Sequence, residues 1–202
     1  MSTEIPTRPY TLRKRADAME ATRLRITEAA VELHGTLGPA RTTMTAVAER
    51  AGVQRQTVYR HFADEQQLLA ACSSHFAAQH PWPDSRRWRT IADPAERLRS
   101  GLDELYAWYE TTGEMWAKVL RDETLVAAIA PALEPFRDYV DDAARVLAAG
   151  WGVRGKRRAM LVAAAQHAVD FQTWRSLARD GGVSRASVVK LTSAMVERAA
   201  GA

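Results

Sequence analysis

Arg55-Gln56-Thr57 places three side chains that can read or hold a nucleic acid on consecutive residues. An arginine can donate two hydrogen bonds to the O6/N7 edge of guanine, and a glutamine can pair bidentately with adenine. A threonine can touch a thymine methyl or a phosphate. The major groove of B-DNA admits one α-helix, so such readers must be polar, long, and directed away from the face that the helix buries. Val58 and Phe62, four residues apart, provide that buried face. Arg55 and Gln56, at the start of the same segment and off its apolar face, fit base reading best.

A reading helix has to be held by something. The preceding residues 43–53, TMTAVAERAGV, contain a second short helical pattern, with Val47, Ala48 and Ala51 making a narrow apolar stripe. Thr43 stands where an N-cap hydroxyl would satisfy an orphan N–H of the first turn. Gly52 follows the last periodic residue, the place of a left-handed C-terminal residue. Two short helices joined by a tight glycine turn, the second polar and basic outside, form the layout of a helix-turn-helix.

These residues resemble the DNA-binding signature of TetR-family transcriptional regulators, T-x-x-x-I/V-A-x-x-A-G-V-x-x-x-T-x-Y-x-H-F followed by L-L. Thr43, Val47, Ala48, Ala51, Gly52, Val53, Thr57, Tyr59, His61, Phe62 and Leu68-Leu69 meet its fixed positions. The resemblance implies that Thr45 is a further base-edge candidate and that Tyr59 and His61 bond phosphate oxygens. The chemistry agrees, because a phenol O–H and an imidazole N–H are neutral donors suited to an anion. Thr43, at a helix N-terminus, also favours phosphate. Two positions depart from the family pattern. Glu65 stands where a lysine usually reaches a phosphate, so Arg60 or the N-terminal arm is the candidate replacement. Gln54 stands in place of the usual serine N-cap, and glutamine caps less well.

The charge distribution points the same way. The 202-residue chain has a formal net charge of +4. Residues 1–62 hold ten Lys/Arg against six Asp/Glu, whereas residues 63–202 hold eighteen of each. The whole basic excess therefore lies with the helix-turn-helix, as expected of a segment that meets a polyanion. Residues 1–18, with Pro6, Pro9 and the cluster Arg13-Lys14-Arg15, read as a flexible basic arm, either a solubility tail or a phosphate-tracking arm.

Residues 19–79 read as the DNA-binding domain, with the helix-turn-helix at 43–62, and residues 80–202 as a ligand-binding and dimerisation domain. Two prolines within Pro81-Trp82-Pro83 mark the linker between them. The first helix is expected over 19–37, with Leu24, Ile26, Ala29, Ala30, Leu33 and Leu37 on its buried face. Asp64 and Gln67 have the spacing of a capping box for the next helix. Beyond the linker, helices are expected from Pro94 to Gly113, in short pieces over 115–120 and 125–129, from Pro131/Pro135 to Gly150, over 156–179, and after Ser184. The expectation is thus an all-α protein of about nine helices, with a three-helix N-terminal domain and a larger helical C-terminal one.

The second half carries no motif of its own, but it is rich in large aromatic residues. Trp108, Tyr109, Trp116, Phe136, Phe171 and Trp174, with His167 and Asp170 as polar partners, are the candidate lining of a site for a small apolar or aromatic ligand. Gln166 and Gln172 lie close by in sequence. Small residues at Ala163, Ala164, Ala165 and Ala168 suit close helix packing, and the resemblance implies a homodimer through the last two helices. The resulting expectation is a repressor that binds a palindromic operator in double-stranded DNA and is released by its ligand. The rival reading is a helical dimeric interaction protein with a degenerate reading helix, supported only by Glu65.

Other chemistries find little purchase. There is no Gly-rich phosphate loop and no Ser/His/Asp arrangement in a supporting context, so no enzyme is expected. Cys72, His75 and His80 would need a fourth ligand for structural zinc, and Cys72 falls on an apolar helix face, so neither metal nor cofactor is expected. No apolar run approaches about eighteen residues, and residues 1–21 lack an apolar signal core. With a lone cysteine, this points to a cytoplasmic protein without membrane partners.

Overall fold

In a computed structural model, which describes residues 8–201, every regular element is a helix. The order is α1 (Arg8–Thr36), α2 (Met44–Ala51), α3 (Arg55–His61), α4 (Glu65–Gln79), α5 (Ser85–Trp88), α6 (Pro94–Asp122), α7 (Ile129–Leu147), α8 (Gly155–Val169), α9 (Phe171–Trp174) and α10 (Arg185–Ala200). A 3₁₀ turn, Pro39–Arg41, precedes α2, and a π-helical segment, Arg175–Asp180, follows α9. None of the described helices is long and apolar enough to cross a membrane. The backbone divides into two units. The first ends at Gln79 and also takes in Ala117–Ala132; the second is His80–Trp116 with Leu133–Ala202. The stretch 80–202 is therefore not continuous, because the last turns of α6 and the segment after it pack with the first unit.

The first unit is built on α1, α2, α3 and α4, whose shared core contains Ile26, Ala30, Met44, Val47, Ala48, Val58, Phe62, Leu68 and Cys72. Cys72 is part of this packing, and burial pushes its thiol pKa up to about 12. Two assignments to the buried face of the first helix need correction, since Leu24 and Leu37, the latter just past the end of α1, are exposed while Ile26, Ala29, Ala30 and His34 are buried. Residues 26, 30 and 34 hold one helical face, and Leu24, two residues before Ile26, turns about 200° away from it. The expected arm over 1–18 also changes. Residues 1–7 lie outside the described residues, and residues 8–18 form the opening turns of α1. Pro9 is tolerated in a first turn, and the run Lys14-Arg15-Ala16 and Met19-Glu20-Ala21 favours helix.

A buried carboxylate fixes the turn between α1 and α2. Asp122, 1% exposed, accepts a hydrogen bond from the Ala40 N–H at 3.0 Å and from Arg121 Nε at 2.7 Å. Arg121 also donates to the Leu37 carbonyl at 3.1 Å. This clasp passes over Gly38, whose φ of 94° suits glycine and whose missing Cβ would sit 2.5 Å from Asp122. Its partners hold the Asp122 carboxyl below the usual carboxylate pKa, the Arg121 hydrogen bond being the largest cause.

In the second unit, Gly113 does not end a helix. α6 runs through it, because the hydrogen side chain admits the Trp174 ring, which an added Cβ would meet at 2.9 Å. Nor is 156–179 one helix. α8 stops at Val169, and Asp170 adopts an extended backbone while its carboxylate accepts from the Gln172 and Thr173 N–H groups as the N-cap of α9. The carbonyls freed at the end of α8 are taken by phenols of α6, Tyr106 donating to Ala168 at 2.7 Å and Tyr109 to Val169 at 2.8 Å. With α5 and α9 as separate short elements, the described residues form ten α-helices rather than nine. Buried Arg97 donates to the carbonyls of Ile91, Ala92 and Ala149, tying the start of α6 to the end of α7.

Candidate nucleic-acid interface

α2 and α3 meet as the glycine turn requires. Thr43 is the N-cap of α2, its hydroxyl accepting from the Ala46 N–H at 3.1 Å, and Gly52 ends the helix in the left-handed conformation with φ 65°. Gln54 caps α3 through its extended backbone alone, with no side-chain hydrogen bond, as a glutamine in that place would suggest. At α4, Asp64 accepts from the Gln67 N–H at 2.8 Å, and Gln67 reaches back to the Ala63 N–H at 3.2 Å. The box closes one residue earlier than in the usual capping arrangement.

α3 buries Val58 and leaves Arg55, Gln56, Tyr59 and Arg60 exposed, while Thr57 and His61 are half-buried. Arg55 folds back along the helix, donating to the Tyr59 hydroxyl at 3.1 Å with its guanidinium 5.4 Å from the ring centre. The proposed reader and the proposed phosphate donor thus share one exposed surface. Thr45 and Gln54 are exposed nearby. His61 is held neutral to a lower pH than a free imidazole, first by desolvation and then by Arg60 and Arg23. A neutral imidazole is the N–H donor that phosphate contact needs. Glu65 is exposed in the first turn of α4, where a carboxylate complements the helix dipole.

Residues 26–72, spanning this whole arrangement, match the family model described as "Bacterial regulatory proteins, tetR family". This region is therefore a TetR-type DNA-binding domain. Solved TetR-like structures share the fold across almost the full chain. The TetR-family regulator PfmR of Thermus thermophilus is 18% identical, with 86% of this chain and 97% of that one covered at a TM-score of 0.62. A candidate fatty acid metabolism regulator of Clostridium perfringens gives 15%, 86%, 97% and 0.61 for the same quantities. The multidrug binding protein EbrR, solved with imidazole, gives 19%, 86%, 93% and 0.54. At such identities the likeness is one of fold. Among curated proteins, none matches the sequence.

Of the candidate ligand-site residues, the aromatic ones come together. Trp108 packs against Tyr109, Trp116 and Phe136, and Tyr109 contacts Phe171 and Trp174. Trp116 and Phe136 stack with centroids 4.0 Å apart. All six are buried. The two polar candidates stand apart from this interior, since His167 and Asp170 are both exposed and Asp170 is occupied as a helix cap. Gln166 and Gln172 are exposed too. The residues that supply polar atoms inside the cluster are aromatic themselves: Trp116 Nε1, Tyr139 OH and Trp174 Nε1 are buried without a hydrogen-bond partner among the described residues. Trp82, which stacks on Tyr139 at 5.1 Å, was hidden in the sequence by its place between two linker prolines.

Proposed function

We propose that this protein is a transcriptional regulator, a repressor that binds a palindromic operator as a homodimer and leaves it when a small apolar or aromatic effector binds the second unit. The observation that carries the DNA half is α3, which buries one residue and presents Arg55 and Gln56 to solvent beside the phosphate donors Tyr59 and His61. A helix this short makes few base contacts, and a dimer on two half-sites about one helical turn apart, or a multiple of it, supplies the rest. The surface best suited to a second copy is α8 with α10. Met160 is 63% exposed, Leu191 55% and Met195 36%, while Val188, Thr192 and Val196 on the other side of α10 are buried.

The effector reading rests on the aromatic cluster. A buried N–H or O–H without a partner is costly, and a ligand carrying an acceptor would relieve that cost. A molecule with a flat apolar body and one or two acceptor atoms matches both the rings and the orphaned donors of Trp116 and Trp174. Among proteins of this fold, EbrR is named as a multidrug binding protein and the Clostridium perfringens relative as a regulator of fatty acid metabolism. An effector can release DNA only through a differential affinity for the DNA-competent and DNA-free states.

The test is titration of the protein against DNA fragments from upstream of its own gene at ~150 mM salt. Retention of one fragment well above random DNA, reversed by an aromatic compound that also raises the melting temperature, is the expected result. Equal affinity for all fragments would overturn operator recognition, and the absence of any stabilising compound in a broad apolar screen would overturn the effector.

A further inference from the structure

We infer that Arg23 of α1 is a positioning residue for the reading helix, a clamp on the C-terminal end of α3 that sets operator specificity without itself touching DNA. Three observations converge on it. Arg23 Nη1 donates to the His61 carbonyl, the last residue of α3, at 2.5 Å and across 38 residues of sequence. Its guanidinium carbon lies 4.1 Å from the centre of the Phe62 ring, the C-cap of the same helix. The side chain is half-buried between these two contacts rather than extended into solvent.

The physical need for a clamp follows from α3 itself. It has seven residues, too few for an isolated helix to hold in water, and its N-terminus has no side-chain cap. Val58 and Phe62 are its fully buried anchors, the second just past its end, so packing fixes one face and leaves the axis free to pivot. A cation on the terminal carbonyl satisfies an orphan acceptor, opposes the negative end of the helix dipole, and pins the Phe62 ring from above. The effect is directional. Phosphate contacts tolerate a small tilt of α3, whereas bidentate bonds from Arg55 and Gln56 to base edges do not. Loss of the clamp should therefore weaken specific binding more than non-specific binding.

Arg23 lies midway along α1 in a basic unit, so the competing role is a plain phosphate contact. The two roles differ in salt dependence. Loss of one phosphate contact lowers the slope of log K against log salt by about 0.9 and weakens all DNA alike. Loss of a clamp leaves the slope and lowers only the specific term. Lysine separates them further, because it keeps a point charge for phosphate but lacks the planar fork that stacks on a ring.

This inference rests on the operator reading above, and the measurements keep the two apart. Arg23→Met, which retains the length and apolar stem, and Arg23→Lys are compared with wild type by anisotropy on operator and random duplexes from 50 to 300 mM salt, and by amide hydrogen exchange without DNA. Both variants are expected to bind operator about tenfold more weakly with unchanged slope and unchanged random-DNA affinity. The amides of Arg60 to Phe62 should exchange about tenfold faster while that of Val47 does not change. A reduced slope in Arg23→Met that Arg23→Lys restores would overturn the clamp in favour of a phosphate contact. Unchanged exchange at Arg60 to Phe62 would overturn it as well. If wild type binds no DNA specifically, the operator reading fails, and the exchange data still decide whether Arg23 holds α3.

Discussion

The proposed reading surface on α3 and the aromatic cluster handle their polar atoms in opposite ways. On α3 the hydrogen-bonding side chains stand in water, and the helix hides only Val58, with Phe62 just beyond its end. In the second unit Trp108, Tyr109, Trp116, Phe136, Phe171 and Trp174 are buried, and three of the polar atoms in and beside that cluster have no partner among the described residues. The first arrangement separates function from stability, since an exposed side chain can be changed with little effect on folding. The second merges them, because the groups available to a ligand are also the core. Substitutions should therefore split into two classes.

The largest effect is expected at Trp108, whose ring packs on Tyr109, Trp116 and Phe136 and whose Nε1 donates to the His80 carbonyl at 3.1 Å. Trp108→Ala should lower unfolding stability by about 3–5 kcal/mol, read from the urea midpoint. A loss below about 1 kcal/mol would mean that the cluster is loose enough to refill the space, and the contrast with α3 would weaken.

Next comes a buried titratable group within the DNA-binding unit. Burial lowers the pKa of His34 from 6.5 to about 4, against the opposing field of Asp122. The native state therefore favours neutral imidazole. The stability it contributes is complete above pH 6.5 and is lost as pH falls from 6.5 towards 4, by about 3 kcal/mol in all. Urea titrations at pH 7, 6, 5 and 4.5 should show this slope in wild type and a flatter one in His34→Gln. Equal slopes would show that protonation of His34 is not what couples folding to acid.

How far these features could be read in advance follows the same division. Thr43, Gly52 and Asp64 declare caps and turns through local chemistry that needs no tertiary partner, and the α2–α3 arrangement follows from them. Long-range substitutions of one constraint for another were not legible. Gly113 reads as a helix end until Trp174 is seen against it. The continuous helical pattern over 156–179 gives no sign that Tyr106 and Tyr109 will take the carbonyls of Ala168 and Val169 and allow a break at Asp170. Likewise Asp170, next to Phe171 in sequence, is exposed and spent as the cap of α9, and His167 stands on the exposed side of α8. Arg23 could be placed on α1 but not onto His61, a partner 38 residues away.

On the exposed side, Arg55→Ala should cost about 1–3 kcal/mol of discrimination between operator and random DNA, with the urea midpoint unchanged. Arg55 spends its donor on the Tyr59 hydroxyl and its charge on the Tyr59 ring, both solvent-exposed contacts that contribute little to folding. A shift of the midpoint would reveal that Arg55 also supports α3.

The smallest expected effects give the sharpest comparison, because two tyrosines of the second unit differ in whether the hydroxyl has a partner. The Tyr109 hydroxyl donates to the Val169 carbonyl at 2.8 Å, whereas that of Tyr139 is buried with no partner among the described residues. Removing a satisfied hydroxyl leaves a carbonyl unpaired, so Tyr109→Phe should destabilise by about 1 kcal/mol. Removing an unsatisfied one relieves a desolvation cost, so Tyr139→Phe should stabilise by about the same amount. Retention of a destabilising tyrosine has a reason if an effector bonds its hydroxyl. In that case Tyr139→Phe raises the melting temperature of the free protein but reduces the further rise that the effector produces. If both variants destabilise equally, the Tyr139 hydroxyl has a water partner in solution. The cluster would then be a satisfied core, and the effector would have to find its polar contacts elsewhere.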